Sequence, residues 1–387
     1  MPFDPKLSRR GLLRGLAGLS ALALAACGQM PAPTAGPSQT VKVALLVPSG
    51  SGQPSDELLA TNLENAAKLA ISDLDGVKVE LAVYPTKGAP DSAAAAAQQA
   101  ANEGARIILG PVYAADADAA GKAVSGRGIN VLSFSNNAAV AGNNVFVLGQ
   151  TFADTASRLV QYAVAQGKSS IAILHDETPA GRIGEAAINT AIQSGGASVA
   201  LVAGYPFSQQ GVVKTIPDVA AQVKASGAQA VFFTATTAGA LPLVTQLLSE
   251  NGVDPAVTQF IGLTRWDIPP TTLALPGVQH GWFALPDPTL TSQFSARYQA
   301  AYGSAPVAIA GLAYDGIAAI GALVKQGGAN ALGAAALTQP QGFVGVNGIF
   351  RFRSDHTVQR GLAIAQINNN QVSVIDPAPR SFGGAGF

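Results

Sequence analysis

The chain of 387 residues is long enough for two domains that each bury a core of their own. Its 23 basic residues balance its 23 acidic residues, and charged residues make up only 12% of the total, which argues against a polyanionic partner such as nucleic acid. A hydrophobic content of 48%, with 43 glycines and 24 prolines, is typical of a globular α/β protein with many loops.

Residues 1–26 predict a signal peptide. Basic residues at its start precede an apolar stretch that has signal-peptide length and is too short for a transmembrane helix. Residues 8–13, SRRGLL, resemble the twin-arginine signal that exports folded proteins, although paired arginines also occur in ordinary signal peptides. Residues 24–28, LAACG, resemble the bacterial lipobox, in which the cysteine is lipidated and becomes the first residue of the mature protein. The sequence therefore predicts lipidation of Cys27.

Lipidation of Cys27 would use up a thiol and would attach the mature chain to a membrane. Cys27 is the only cysteine, so no thiol remains for a disulfide, a nucleophile or a metal ligand. Residues 27–40 are then a lipidated cysteine followed by a flexible, proline-containing linker. Gly28 carries no inner-membrane retention signal, which favours the outer membrane. No later run approaches the roughly 18 apolar residues that span a bilayer, so the lipid is the expected membrane attachment.

Two series of alternating strands and helices follow the linker. Short apolar runs flanked by glycine and proline and joined by helices are typical of a parallel sheet covered on both faces. The pattern restarts at residues 149–152, which predicts a second α/β lobe built from similar parts. The predicted strands are 41–47, 77–84, 106–109, 130–134, 145–148, 170–174, 198–203, 230–234, 260–262 and 282–285, and the predicted helices are 56–74, 92–102, 153–166, 184–193, 219–225 and 240–250.

The alternation stops in the C-terminal part of the chain. Residues 292–302 and 308–324 predict two helices without a strand between them. Residues 344–352, 362–367 and 371–375 predict strands, and three asparagines between the last two have turn chemistry. Together these elements predict an α/β protein with two lobes.

Polar side chains follow three strands of the first lobe, where a parallel sheet gathers its ligands. Each has a plain structural alternative. The serines after the first strand either face a ligand or form a turn, and the tyrosine is either a stacking wall or a half-buried core residue. The asparagines either bind a ligand or suit left-handed turn geometry. The candidates are Ser49, Ser51, Tyr113, Ser135, Asn136 and Asn137.

The second lobe offers a threonine and a cluster of three side chains. Thr236 follows a strand and is expected to face a cleft between the lobes. Arg265, Trp266 and Asp267 place a planar cation beside an indole and a carboxylate, an arrangement that can hold a polar ligand. A surface arginine–aspartate pair with a packed tryptophan is the equally ordinary alternative.

The sequence shows no catalytic motif. His175, His280 and His356 are scattered without metal-ligand spacing. Neither a Gly-x-Ser-x-Gly elbow nor a paired-carboxylate motif is present. We therefore expect a protein that is not an enzyme and that uses no cofactor and no metal.

The order of four segments resembles the type 1 periplasmic binding-protein family, and within it the leucine/isoleucine/valine-binding proteins of ABC importers. The segments are VKVALLVP at 41–48, LAISDL at 69–74, IILGP at 107–111 and IAILHD at 171–176. The resemblance implies two lobes, each a doubly wound, mostly parallel sheet, with three hinge crossovers near 149–152, 285–288 and 343–347. It implies a first lobe of 41–149 plus 288–343, a second lobe of 150–287 plus 344–377, and a tail of 378–387.

The resemblance also locates the family's ligand contacts. Amino-acid binders of this family hold the ligand with a serine, a threonine, a tyrosine and an acidic residue. The matching positions here are Ala114, Asn137, Ala180 and Thr264, and three of them lack the needed group. Because an ammonium group removed from water without an anionic partner is costly, the usual mode of binding a free α-amino acid does not carry over.

The predicted function is that of a periplasmic solute-binding lipoprotein. It would capture a small polar ligand, amino-acid-like or related, in an interlobe cleft for an ABC importer, whose membrane subunits would be its partners. The alternative is the penicillin-binding protein activator branch, whose lipoproteins have the same fold and regulate peptidoglycan synthesis through protein contacts. The two readings differ in whether a ligand drives closure of the lobes.

Overall fold

The computed structural model describes residues 39–383. The predicted signal peptide, Cys27 and most of the linker lie outside these residues, as do the last four residues of the predicted tail.

The first sheet contains five parallel strands within the described range. Their order across the sheet is β2-β1-β3-β4-β5, so the chain starts near one edge, moves to that edge and then crosses to the other side. Helices follow the first three strands, as the alternating sequence pattern predicts. The elements are β1 Gln39–Val47, α1 Pro54–Ser72, β2 Val77–Pro85, α2 Pro90–Asn102, β3 Ile107–Leu109, α3 Ala114–Val124, β4 Asn130–Ser133 and β5 Val145–Val147.

The strands of this sheet are apolar on both sides because helices cover both faces. Adjacent residues Leu45 and Leu46 are fully buried, yet they belong to different cores. Leu45 packs with Leu63 of α1, whereas Leu46 packs with Ala97 of α2. A continuous apolar run therefore predicts a doubly covered strand correctly here.

The second half of the described chain builds a larger, mixed sheet. Its order is β15-β14-β10-β9-β8-β6-β7, and β14 alone runs opposite to the other strands, because it pairs antiparallel with both β10 and β15. The elements are α4 Phe152–Ala165, β6 Ser170–Asp176, α5 Pro179–Ser194, β7 Ser198–Tyr205, α6 Gln209–Ser226, β8 Ala230–Phe233, α7 Leu241–Glu250, β9 Gln259–Gly262, β10 Trp282–Leu285, α8 Pro288–Tyr302, α9 Gly311–Gly327, α10 Ala334–Leu337, β11 Phe343–Gly345, β12 Gly348–Phe352, β13 Val358–Arg360, β14 Ala363–Asn368 and β15 Gln371–Asp376. Two lobes of mostly parallel sheet confirm the predicted fold class.

Helix α6 is ten residues longer at its start than predicted. The predicted start, residue 219, lies just beyond Pro217, and a proline inside a helix removes a hydrogen bond at a cost of about 3 kcal/mol. The helix instead begins after Ser208, whose hydroxyl accepts the N–H of Gly211 at 3.0 Å, and it continues through Pro217. Val212 and Ile216, before the proline, are buried against the second sheet, so packing outweighs the local preference.

The segment predicted as one strand, 344–352, is a hairpin of β11 and β12. The turn forms because the carboxylate of Asp315, in α9, accepts the N–H of Val346 at 2.8 Å and the side-chain amide of Asn347 at 3.0 Å. A third strand, β13, pairs with β12 and was not predicted.

This hairpin packs with the first sheet, whereas the predicted second lobe included it within 344–377. Phe343, Phe350 and Val358 lie in the core that contains α1 and α9, whereas Leu362 lies in the core beneath α4. The chain therefore makes its last passage from one core to the other just after β13, rather than at the predicted hinge crossover near 343–347. The earlier two passages, near 149–152 and 285–288, lie between β5 and α4 and between β10 and α8.

One described helix, Ala308–Gly327, is long and apolar enough to cross a membrane, with a mean hydropathy of 1.5. It contradicts the expectation that no later run has this composition. Its window is 61% buried in the protein, and Gly316 and Gly321 let it pack closely on Leu109 and Leu74. We interpret it as the core helix of the first lobe.

Candidate ligand-binding cleft

The loop after β1 satisfies its own backbone groups. The N–H of Gly50 donates to Oε1 of Glu57 at 2.6 Å, and the N–H of Gln53 donates to Oγ of Ser51 at 3.1 Å. Ser49 and Ser51 are half-buried. Because Glu57 already occupies this loop with a negative charge, the geometry favours the turn interpretation over an anion site here.

Tyr113 lies at the same edge of the sheet and is hydrogen-bonded to the carboxylate of Asp56. Its hydroxyl donates to Oδ1 of Asp56 at 2.5 Å, which together with partial burial raises the pKa of Tyr113 to about 12. Asp116 lies nearby, and burial raises the pKa of its carboxyl. Ala114, the first residue of α3, is half-buried beside them. This part of the edge is acidic and therefore disfavours a negatively charged ligand.

The Tyr113–Asp56 hydrogen bond is expected to contribute about 1 kcal/mol to folding, since the tyrosine is 39% exposed. Tyr113→Phe should lower the free energy of unfolding by that amount, and Asp56→Asn should lower it similarly. Urea denaturation of both single variants and the double variant measures the coupling. Strictly additive losses would show that the two side chains do not interact in solution.

The loop after β4 is held by a series of local hydrogen bonds. The N–H of Ser135 donates to Oγ of Ser133, and the N–H of Asn137 donates to Oγ of Ser135, both at 3.1 Å. Oδ1 of Asn137 accepts the N–H of Ala139 at 3.0 Å and caps a short 3₁₀ turn. Ser135 is buried, whereas Asn136 and Asn137 are exposed, so the asparagines keep amide groups available at this edge.

The facing edge of the second lobe also uses polar groups for its own turns. Asp176 accepts the N–H of Thr178 at 3.2 Å and, through its other oxygen, the hydroxyl of Thr234 at 3.4 Å. Thr236 is exposed, and its carbonyl accepts the N–H groups of Gly239 and Leu241. The hydroxyl of Thr264 is buried and has no hydrogen-bond partner among the described residues.

Trp266 does not face the cleft, contrary to its prediction as a ligand contact. It is fully buried and packs near Phe233, with ring centroids 6.0 Å apart. Its indole occupies space left by two glycines: a β-carbon on Gly262 or Gly281 would lie 2.2 Å from a ring atom. Because these two glycines have no side chains, the core has room for the indole.

Arg265, by contrast, reaches the space between the lobes. Its guanidinium holds Asp267 in a two-point pair, Nε to Oδ1 at 2.9 Å and Nη2 to Oδ2 at 2.5 Å. It also lines an open cavity of about 220 Å³, whose walls include residues from both lobes and from all three passages between them. The lining residues are Gln150, Arg265, Pro286, Thr291, Ala308, Ile309, Leu312, Asn347 and Arg360.

Arg360 is the buried charge of this cavity, with 3% of the residue exposed. Its Nη1 donates to Oδ2 of Asp315 at 2.8 Å, its Nη2 donates to the carbonyl of Leu148 at 2.9 Å, and its guanidinium lies 5.0 Å from the ring centre of Phe350. Its Nε has no hydrogen-bond partner within residues 39–383.

Sequence reasoning missed Arg360, Gln150 and Asn347 as cavity residues. Arg360 stands between Gln359 and Gly361, a setting that gives no local signal of a buried, functional charge. Its partner Asp315 lies 45 positions away, so no local pattern links them.

Comparison with known proteins assigns the fold to a family. A family model for periplasmic binding proteins matches residues 40–371, most of the chain. The chain belongs to the periplasmic binding protein family, which confirms the resemblance in its sequence. Comparison with curated protein sequences finds no significant match.

Solved structures of this family superpose on the chain at low sequence identity. A structure from Rhodospirillum rubrum, attributed to a branched-chain amino acid ABC transporter, has a TM-score of 0.72 at 18% identity and covers 87% of this chain and 100% of its own. An ABC transporter substrate-binding protein from Desulfitobacterium hafniense, in complex with Leu, has a TM-score of 0.65 at 18% identity, covering 87% and 100%. A solute binding protein from Rhodopseudomonas palustris BisB5, in complex with 3,4-dihydroxy benzoic acid, has a TM-score of 0.60 at 19% identity, covering 89% and 98%.

The described part of the chain contains no cluster of side chains suited to binding a metal ion. No group of three or more histidine, aspartate and glutamate side chains there is arranged to hold an ion.

Proposed function

We propose that this periplasmic binding protein captures a small solute between its lobes and delivers it to an ABC importer. The observation that carries the proposal is the cavity of about 220 Å³, which residues from both lobes and from the passages between them line. Ligands commonly bind between lobes, where closure can bury them. The transporter-associated proteins that share the fold support the same role.

Export and anchoring form part of the proposal. The signal-like residues 1–26 and the lipobox ending in Cys27 support a lipoprotein in the periplasm, held in the outer membrane more readily than in the inner one.

Mass spectrometry of protein purified from the cell envelope tests both parts. Intact mass should show a chain that begins at Cys27 and carries acyl groups. Denaturation should release a small molecule, and re-adding it should raise the unfolding midpoint, since a ligand at a hundred times its Kd stabilises by about 2.7 kcal/mol. Release of nothing, with no midpoint shift across a solute panel, would contradict solute capture.

A protein-contact role in regulating peptidoglycan synthesis is the second candidate, supported by an apolar surface on the second lobe. Phe207 is 58% exposed beside a groove of about 470 Å³ between the starts of α6 and α7, with Val212 and Leu243 in its wall. In this case a penicillin-binding protein would be the partner, and the solute panel above would give no response.

A further inference from the structure

We infer that the solute is a small carboxylate without an ammonium group, held with its carboxylate between Arg265 and Arg360. The inference rests on the proposed solute-binding function and specifies its ligand. It depends on hydrogen-bond donors, charges and volume in the cavity of about 220 Å³.

Both arginines keep N–H donors that their own aspartates do not use. A guanidinium has five N–H groups. Asp267 takes two from Arg265, through Nε and Nη2. Asp315 and the carbonyl of Leu148 take one each from Arg360, which lines the cavity and whose buried Nε has no partner in the described residues. A buried donor without an acceptor is unfavourable, and a ligand oxygen would remove that cost.

The same cavity offers nothing to neutralise a ligand cation. No aspartate or glutamate is among the described residues that line it. The carboxylates that contact the two lining arginines, Asp267 and Asp315, are already paired with Arg265 and Arg360 at 2.5 and 2.8 Å. A ligand ammonium held here would share the cavity with two guanidinium groups and have no free carboxylate in its walls, which is costly for a charge removed from water.

The remaining walls suit a compact apolar body. Pro286, Ile309 and Leu312 line the cavity together with the two arginines. Its volume of about 220 Å³ is that of roughly seven waters at about 30 Å³ each. A carboxylate on a short branched or aromatic skeleton fills such a space, whereas a peptide does not.

Binding of matched acids and amino acids by the full mature protein tests the inference. Isothermal titration compares 4-methylpentanoate with leucine, which has the same skeleton plus an ammonium group, and benzoate with benzamide, which has nearly the same shape without the charge. At least one of the two acids should bind at least tenfold more tightly than its matched compound, which is leucine for 4-methylpentanoate and benzamide for benzoate. Equal affinity within both pairs, tighter binding of leucine or benzamide, or no binding by either acid overturns the inference.

Substitution of Arg265 tests the contact itself. Arg265→Gln should weaken binding of the acid at least tenfold. Arg297→Gln is the matched control, because Arg297 also pairs with an aspartate, Asp73, but lies outside the cavity, and it should leave affinity unchanged. Thermal unfolding of both variants checks that the fold persists. If Arg265→Gln keeps full affinity while folded, the assignment of the carboxylate contact is wrong.

The two levels of proposal fail in different ways. If the envelope-purified protein releases a solute that is an amine or a neutral sugar, solute capture stands and the carboxylate inference is wrong. If no solute is released and no probe binds, both fail together.

Discussion

Asp315→Asn is expected to lower the free energy of unfolding by about 3–5 kcal/mol, because it leaves the guanidinium of Arg360 buried without its counter-ion. The side chains of Arg360 and Asp315 are 1% and 0% exposed, so water cannot replace the lost charge. The carboxylate also accepts the N–H of Val346 and the amide of Asn347, which hold the turn between β11 and β12. The substitution therefore weakens both the ion pair and the hairpin beside the cavity.

Chemical denaturation of Asp315→Asn and two comparison variants measures the effect. Asp75→Asn removes an exposed pair with Lys325 and should change stability by less than about 0.5 kcal/mol. Replacing both partners, Asp315→Leu with Arg360→Met, removes the unpaired charge and should recover part of the loss. A loss below about 1 kcal/mol for Asp315→Asn would mean that water or another group reaches Arg360.

The alternating pattern predicted most elements because each strand is buried by its neighbours in sequence. Strand Trp282–Leu285 has its predicted bounds, and all five strands of the first sheet lie where apolar runs predicted them. Predictions were wrong where distant contacts decide the outcome. Helix α6 passes through Pro217 because it packs on the sheet, and the 344–352 segment bends because Asp315 binds its turn.

The candidate site was harder to predict than the fold. Sequence placed Arg265 at the cleft, but its neighbour Trp266 turns into the core, where Gly262 and Gly281 leave room. Several first-lobe candidates hold turns, as Ser135 and Asn137 do. Arg360 and Gln150 enter the cavity from the passages between the lobes, so only the assembled structure brings them to Arg265.

A second large effect is expected from pH, through Asp154 at the start of α4. This residue is 4% exposed, and burial raises its pKa from 3.8 to about 6, although the charge of Arg353 and the N–H of Arg360 partly offset the shift. A folded-state pKa above the unfolded value means that the folded protein binds the extra proton between these pH values. The associated stability is fully present below about pH 4 and is lost as pH rises through about 6.

Asp154→Asn isolates this contribution, since its amide does not titrate. The free energy of unfolding of the unsubstituted protein minus that of Asp154→Asn should fall by about 2 kcal/mol between pH 4 and pH 7, at 1.36 kcal/mol per unit of pKa shift. Urea denaturation at several pH values gives this difference.

Asp355→Asn is the control of opposite sign: burial raises the pKa of Asp355, but hydrogen bonds from Thr357 and the charge of Arg353 lower it overall. The free energy of unfolding of the unsubstituted protein minus that of Asp355→Asn should rise with pH. If the corresponding difference for Asp154→Asn also rises, Asp154 stays ionised in the folded protein even at pH 4. Because Arg353 and Arg360 belong to the hairpin segment and Asp154 to the second lobe, such a result would also mean that the ion pair across the passage outweighs the cost of burial.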